Sequence, residues 1–440
     1  MIAQVVSRRL GWLVVLVSAC GSPARPVVRV GRVDGAALER ATRKAGELAR
    51  IHDDHGAAEA YLRVLAVNPD DAQALYLLAV SALRAGDRGA AIGAVSRLAE
   101  IHSDLVPTAD DFAALVGDPA FDAAVKRIAT RAAAYHTSSE ALQIAERGLL
   151  AEGIAYDPVG QAFYVGSAAR RKIVKLTTGG DAVDFTSPRS EIDAVGGLRV
   201  DARRRRLWAV TGTYPRMDGF VAGEPERNTL IEFDLKTAAV VGRYPLIGPA
   251  SHGINDVAID ASGRPFVTDT ESGQLYTVQE GGQTLTPVFA TPPFFRPNGL
   301  AFDHRGQLLF VADATGVYRV DVAARSVLRL GQPTGSSLGI FDGMYFVRDS
   351  GGARLVAIQS LTGPGRVVSA RLTPALDAVT RVDVLESAHP LFDGPTTGAV
   401  VGRWLYVIAN SQLWGPRVPH ATIILKTPLD VPAELPPVAP

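Results

Sequence analysis

Two periods of apolar and polar residues divide the chain. From about residue 36 to 135 apolar side chains recur at helical spacing. In "NPDDAQALYLLAVSALRAGDRGAAIGAVSRLAEI" (68–101), Leu75, Leu78, Ala79 and Ala82 fall on one face, Gly86-Asp87 breaks the run, and Ala91, Val95 and Leu98 resume the stripe. The pattern predicts a helix–turn–helix opening at Asn68-Pro69, with Ala79 and Ala91 small enough to let its helices approach closely. Residues 40–67 read as a weaker copy, and 109–133 as one or two further helices. After residue 140 the period shortens to that of short β-strands punctuated by Gly, Pro and Asp.

The β-region repeats. Aligned on x-Gly-apolar-x-x-Asp, it gives "EGIAYD" (152–157), "GGLRVD" (196–201), "NDVAID" (255–260), "NGLAFD" (298–303), "DGMYFV" (342–347) and "TGAVVG" (397–402), with starts 44, 59, 43, 44 and 55 residues apart. Most copies lead through a turn into a second strand with a polar tip, as in "QLLFVADA". Six hairpins at this spacing predict a β-propeller with about four strands per blade, the first strand of each blade lining the central channel. "ALQIAE" (141–146) is placed to pair with "ATIILKT" (421–427) and close the ring, leaving no free sheet edge. The fold expected is an all-β six-bladed propeller behind an N-terminal α-helical domain.

Propeller geometry brings the six leading residues, Glu152, Gly196, Asn255, Asn298, Asp342 and Thr397, to one mouth of the channel. Two carboxylates and two carboxamides then face one another. Hard oxygen donors with two negative charges suit a hard divalent cation, and no His or Cys cluster competes for it. Without a cation, Glu152 and Asp342 would repel and one would take up a proton. The competing reading is that each polar residue caps a strand end.

"AEGIAYD", "INDVAID", "PNGLAFD" and "FDGM" resemble the regucalcin/gluconolactonase six-bladed propellers over roughly residues 140–428. The resemblance implies metal ligands at Glu152, Asn298 and Asp342, with Asn255 contacting substrate or a metal-bound water. It also implies lactone hydrolysis, with Asp342 the nearest candidate general base. The implied ion is Ca²⁺, with Zn²⁺, Mn²⁺ and Mg²⁺ as alternatives. One departure weakens the sugar-lactone expectation: the family's Arg two residues before the Asn of the Asn-Asp motif is replaced here by Gly253, which follows His252. A strictosidine-synthase-like propeller resembles the same fold but generally lacks the metal ring. The helical half resembles tetratricopeptide repeats, which implies a protein or peptide partner, although a purely structural bundle fits equally.

The N-terminus adds a location. Arg8 and Arg9 precede an apolar run, Leu10 to Val17, too short to span a bilayer, and "VSAC" ends in the only cysteine of the chain. This resembles a bacterial lipobox, so Cys20 is the expected lipidation site and Gly21 fits outer-membrane sorting. A plain signal peptide with a chance cysteine is the alternative. The expected organisation is a signal peptide at 1–20, a linker at 21–35, helices at 36–135, the propeller at 140–430 and a Pro-rich tail at 431–440. The product would be a protein of the bacterial cell envelope, held to the periplasmic side of the outer membrane by its lipid.

The net charge of +0 gives no nucleic-acid footprint, and Arg203–Arg206 reads as a solvated hairpin turn. His252 stands at the rim as a candidate substrate contact or proton shuttle. Asp269, Asp313 and Asn410 end second strands near the same face, and "TYPRMDGFVAGEPERN" (213–228) is either a lid or a surface insertion. No Gly-x-Ser-x-Gly, phosphate loop or dinucleotide fingerprint occurs. Two functions remain open: a divalent-metal-dependent hydrolase of a small lactone or ester, or a non-catalytic envelope scaffold with a structural metal.

Overall fold

The computed structural model describes residues 27–28, 35–101, 103–187, 190–248, 251–360, 363–413 and 419–430. Cys20 and the lipobox, together with the tail at 431–440, lie outside the described residues.

Helices α1 (Gly35–Arg50), α2 (Asp54–Val67), α3 (Ala72–Arg84), α4 (Arg88–Glu100), α5 (Ala109–Phe112) and α6 (Pro119–Arg131) precede the sheets. Aspartates start most of them: Asp53, Asp71, Asp87 and Asp118 each accept an amide of the first turn of α2, α3, α4 and α6, satisfying donors the helix cannot. The predicted start at Asn68-Pro69 shifts accordingly. Asn68 is the C-cap of α2, and α3 begins only after Asp71, whose side chain supplies the cap. Ala79 and Ala91 are fully buried where α3 meets α4. No helix among the described residues is long and apolar enough to cross a membrane.

Six four-stranded antiparallel sheets follow, the six-bladed propeller expected from the repeat. The inner strands Ala151–Asp157, Ala194–Asp201, Ile254–Ile259, Leu300–Phe302, Phe341–Asp349 and Gly398–Val401 lead blades 1 to 6. In blade 6 the order is closed by Ser139–Arg147, which pairs with Ala421–Pro428, so the first strand of the ring is hydrogen-bonded to the last. Val27–Val28 pairs with Gln332–Pro333. Phe295 of blade 4 is buried in the helical core, and Arg296 faces Glu39 of α1 at 3.5 Å, which fixes the helices against that blade.

The repeated motif has a physical reading at each end. Its last Asp caps the following hairpin turn: Asp157 accepts the Val159 amide, Asp201 those of Arg203 and Arg204, Asp260 that of Ser262, and Asp303 those of Gln307 and Leu308. Its glycine sits where neighbouring inner strands touch. A Cβ on Gly153 would fall on the Gly196 carbonyl, and one on Gly299 on the Asp342 carbonyl. Register shifts at Ala151/Ile154, Val195/Leu198, Ile254/Val257 and Phe341/Met344 show that the leading pair of residues forms a bulge in four of the inner strands, turning the leading side chain out of the ladder.

The Arg203–Arg206 turn is a hairpin, as read from sequence, but three of its arginines are engaged. Arg205 bridges to Asp157 of blade 1 at 2.5 and 2.6 Å, Arg204 to Asp201 at 2.9 Å, and Arg206 to Glu232 and Asp234 at 3.2 and 2.7 Å.

Candidate functional site: buried carboxylates at the propeller axis

Three of the four carboxylate and carboxamide leading residues come together at the axis. Asn298 Nδ2 donates to Asp342 Oδ1 at 3.1 Å across the boundary between blades 4 and 5. Glu152 lies close enough to Asp342 to feel its charge, and its Oε2 is 3.5 Å from where a Cβ on Gly196 would stand, so the absent side chain of blade 2 makes room for it. Thr397 is turned away, its hydroxyl bonded to the Glu152 carbonyl. Asn255 also turns away: its Nδ2 donates to Thr270 Oγ1 at 3.0 Å, and that hydroxyl is held by the Pro297 carbonyl at 2.8 Å. The structure therefore gathers Glu152, Asn298 and Asp342, with Asn255 beside them but committed to its own blade.

A third carboxylate joins them. Asp256 occupies the position that is glycine in the other five copies, is 4% exposed, and accepts the amides of Val257 and Leu300. The departure from glycine in "NDVAID" was the signal for it. Beneath Asp256 lies Arg199, whose Nε donates to the Val257 carbonyl at 3.0 Å and whose guanidinium stands 5.8 Å over the Tyr345 ring. Tyr345 Oη in turn accepts the Gly398 amide at 2.5 Å.

Three acids sharing so little water cannot all ionise freely. Burial, then the charges of Asp342 and Asp256, push Glu152 up to about 8. Burial and the charge of Asp256 push Asp342 up to about 7 despite the Asn298 hydrogen bond. Burial likewise raises Asp256, against the pull of Arg199. The Asn298 amide oxygen is buried with no hydrogen-bond partner, on the same carboxamide whose nitrogen bonds Asp342. An orphaned acceptor beside carboxylates that hold protons for want of positive charge is a donor set that fits a hard divalent cation. Glu152 keeps a partly exposed face, so the channel reaches the cluster.

Among the described residues, the only group of three or more His, Cys, Asp or Glu ligand atoms within 4.8 Å of one another is His136, Glu386 and His389, away from this site. Glu152, Asp256 and Asp342 do not place three ligand atoms within 4.8 Å of one another. A cavity of about 570 Å³ opens at the opposite end of the channel, lined by Arg199, Arg203, His304 and Arg305 among others, and none of the leading residues lines it.

At the rim His252 is 10% exposed, with Nδ1 2.7 Å from Asp269 Oδ2. Asp269 is fully buried and also accepts the Gly253, Glu271 and Ser272 amides and the Ser272 hydroxyl, so the imidazole is held by an immobilised carboxylate. Asp313 and Asn410 prove to be loop clamps: Asp313 accepts the Phe295 and Thr315 amides, and Asn410 bonds Ile423 N and Ala421 O. The 213–228 segment leaves blade 2 and reaches across blade 1 to blade 6. Asp218 N donates to the Ala169 carbonyl, Tyr214 Oη and Arg216 donate to the Leu413 carbonyl, and Met217 is buried with Leu150 and Leu413.

No protein-family model matches the chain. No curated protein matches it either. Among solved structures, a gluconolactonase from Xanthomonas campestris is 15% identical, with a TM-score of 0.44 over 65% of this chain and 88% of that one. The calcium-binding protein regucalcin from Agrobacterium tumefaciens is 16% identical, with a TM-score of 0.44 over 66% and 95%. A luciferin-regenerating enzyme is 13% identical, with a TM-score of 0.43 over 64% and 92%. A lyase and a sugar dehydrogenase align at the same level, so the likeness is one of fold: a propeller of six blades, here carried behind six helices.

Proposed function

We propose that the chain is a divalent-cation-dependent hydrolase of a lactone or related small ester, acting at the axial mouth of the propeller. The observation that carries this reading is the buried, unpartnered Asn298 oxygen set against Asp342 and Glu152. Glu152, Asn298 and Asp342 would hold the ion, with Ca²⁺ favoured by an all-oxygen donor set. When bound, the ion supplies Lewis-acid polarisation of the ester carbonyl and offsets the charge of the acids.

The remaining roles belong to the chain's own side chains. Asp256, anchored by the Val257 and Leu300 amides, adds a third acid beside Asp342 and Glu152 whose charge, when present, raises both. Hydrolysis adds water across the C–O bond, and the proton that water gives up needs an acceptor. Two groups are placed for that role. Asp342 stands in the cluster, and His252 at the rim is oriented through its Nδ1 by Asp269. Asn255 would reach substrate oxygens only by releasing its hydrogen bond to Thr270. The 213–228 segment, arched over blades 1 and 6, would limit the size of what enters.

The test is hydrolysis of a lactone panel by chelator-treated protein supplied with Ca²⁺, Mn²⁺ or Zn²⁺. Asp342→Ala and Glu152→Ala should each lower turnover on the order of 10²-fold or more. Turnover unchanged in both variants removes the catalytic assignment.

A second reading, an envelope scaffold with a structural ion, is favoured by one feature. Leu62, Leu65, Leu75 and Leu78 line an apolar groove of about 450 Å³ on the helices. Cation-dependent melting without turnover would select it. Both readings are compatible with the envelope location proposed from the lipobox-like stretch ending at Cys20.

A further inference from the structure

Where the connector from the helices enters the propeller, two imidazoles and a carboxylate converge. Tyr135 exchanges backbone hydrogen bonds with Ser387 at 3.0 and 2.9 Å, stitching the connector to the end of Val379–Ser387, the outermost strand of blade 5. That pairing sets His136 Nδ1 3.3 Å from Glu386 Oε1, across 250 residues of chain. The His389 ring lies edge-on to His136 with centroids 5.0 Å apart, and the three ligand atoms fall within 4.8 Å of one another.

Glu386 is oriented as a ligand is. It is fully buried. Its Oε2 accepts the Thr137 and Ser138 amides at 3.1 and 2.9 Å and lies 3.4 Å from the Thr137 hydroxyl, while Oε1 faces His136. One oxygen is thus saturated from the connector and the other directed at the imidazoles. Burial holds His389 below its usual value, although Glu386 pulls the other way, which favours the neutral ring that ligates metals. Its Nδ1 accepts the Leu391 amide at 3.1 Å, so an ion bound at that nitrogen would displace this contact.

We propose that His136, Glu386 and His389 bind a zinc-class transition-metal ion that fastens the helix-to-propeller connector to blade 5. Two imidazoles and one carboxylate suit zinc, whereas the oxygen donors at the axis suit calcium. The two sites therefore differ in ligand chemistry as well as place, and this one stands whatever the axial site does. Water from the exposed side of His136 completes the coordination.

The experiment titrates purified, chelator-stripped full-length chain with Zn²⁺ alone, counts ions bound by calorimetry and elemental analysis, and compares His136→Ala and His389→Ala. His136 is partly exposed, so its variant should fold. Each variant should bind one Zn²⁺ fewer per chain, or bind it at least about tenfold more weakly. Zn²⁺ should raise the melting temperature of the wild type and not of His136→Ala. Co²⁺ in place of Zn²⁺ should give visible absorption that His136→Ala abolishes. Zinc stoichiometry and affinity unchanged within about twofold in both variants would overturn the proposal, as would a stripped wild type that binds no Zn²⁺.

Discussion

Removing divalent cations and replacing Glu152 by Gln isolates the free energy of crowding acids at the axis. Glu152 titrates near 4.5 when free and is pushed to about 8 in the folded protein by burial and by Asp342 and Asp256. A carboxyl whose value is raised on folding contributes stability that is fully present below the unfolded value. That contribution is lost as pH climbs toward the folded one. At ~1.36 kcal/mol per unit, the passage from 4.5 to about 8 is worth on the order of 5 kcal/mol, and the stretch from pH 5 to 8 about 4. Asp342, raised to about 7, titrates in the same window and adds a coupled share. The assay is denaturant unfolding in chelator at pH 5, 6.5 and 8, followed by tryptophan fluorescence, with Trp208 and Trp404 in the propeller. Wild type should lose stability steadily across that range, and Glu152→Gln, neutral throughout, should lose less by roughly 2 to 4 kcal/mol. Ca²⁺ should restore the wild type at pH 8 and do little for the variant. Parallel pH profiles of the two proteins in chelator would refute the account of a crowded, desolvated site.

Three further outcomes follow from particular contacts. Gly299→Ala puts a methyl group on the Asp342 carbonyl, so it should cost on the order of 2 to 3 kcal/mol and weaken Ca²⁺ binding, read by melting with and without the ion. Arg205→Ala leaves Asp157, 1% exposed, without its cross-blade partner. The guanidinium is about a third exposed, so the loss should be about 2 kcal/mol rather than the full cost of a broken buried pair, measured by urea unfolding. His252→Ala should reduce turnover of any lactone substrate on the order of 10²-fold while leaving Ca²⁺ affinity within about twofold, since its side chain is tied to Asp269 and not to the cluster.

Much of the architecture was readable because the propeller repeats. Six copies of one motif at similar spacing fix the number of blades, and the strand at 141–146 was recognisable as the closing partner of 421–427 by elimination of edges. The helix start was misplaced because Asn68-Pro69 and Asp71 are both plausible openings, and only the three-dimensional pairing of Asp71 with the Ala74 amide decides between them. The cross-blade role of Arg205 could not be read at all, since Asp157 is 48 residues away and meets it only once blades 1 and 2 are packed.

The site itself divides along the same line. Phase in the repeat says which residues lead the inner strands, but not where each side chain turns. Asn255 and Asn298 share that phase, yet one bonds Thr270 within its blade and the other reaches Asp342 across a blade boundary. The difference follows from what stands next door. Blade 3 carries Thr270 at the tip of its second strand, a hydroxyl within reach of the amide, whereas the corresponding tip in blade 4 is Ala314, which offers none.

Asp256 makes the same point from the opposite direction. The glycine of the motif is required where inner strands touch, as at Gly153 and Gly299, so an aspartate there must find space that the ring does not ordinarily leave. Gly197 supplies it: a Cβ at that position would stand 2.6 Å from Asp256 Oδ1. Gly197, the motif glycine of blade 2, thus leaves the space that Asp256 of blade 3 fills, while Gly196 before it leaves room for Glu152. A Gly197→Ala substitution should consequently act on blade 3, pressing on the Asp256 carboxylate and on the Asn255–Asp256 backbone. It should displace that carboxylate and lower the pH at which Glu152 loses its proton, readable as a shallower fall in chelated stability between pH 5 and 8. An unaltered profile in a folded Gly197→Ala protein would break the link between the two motifs.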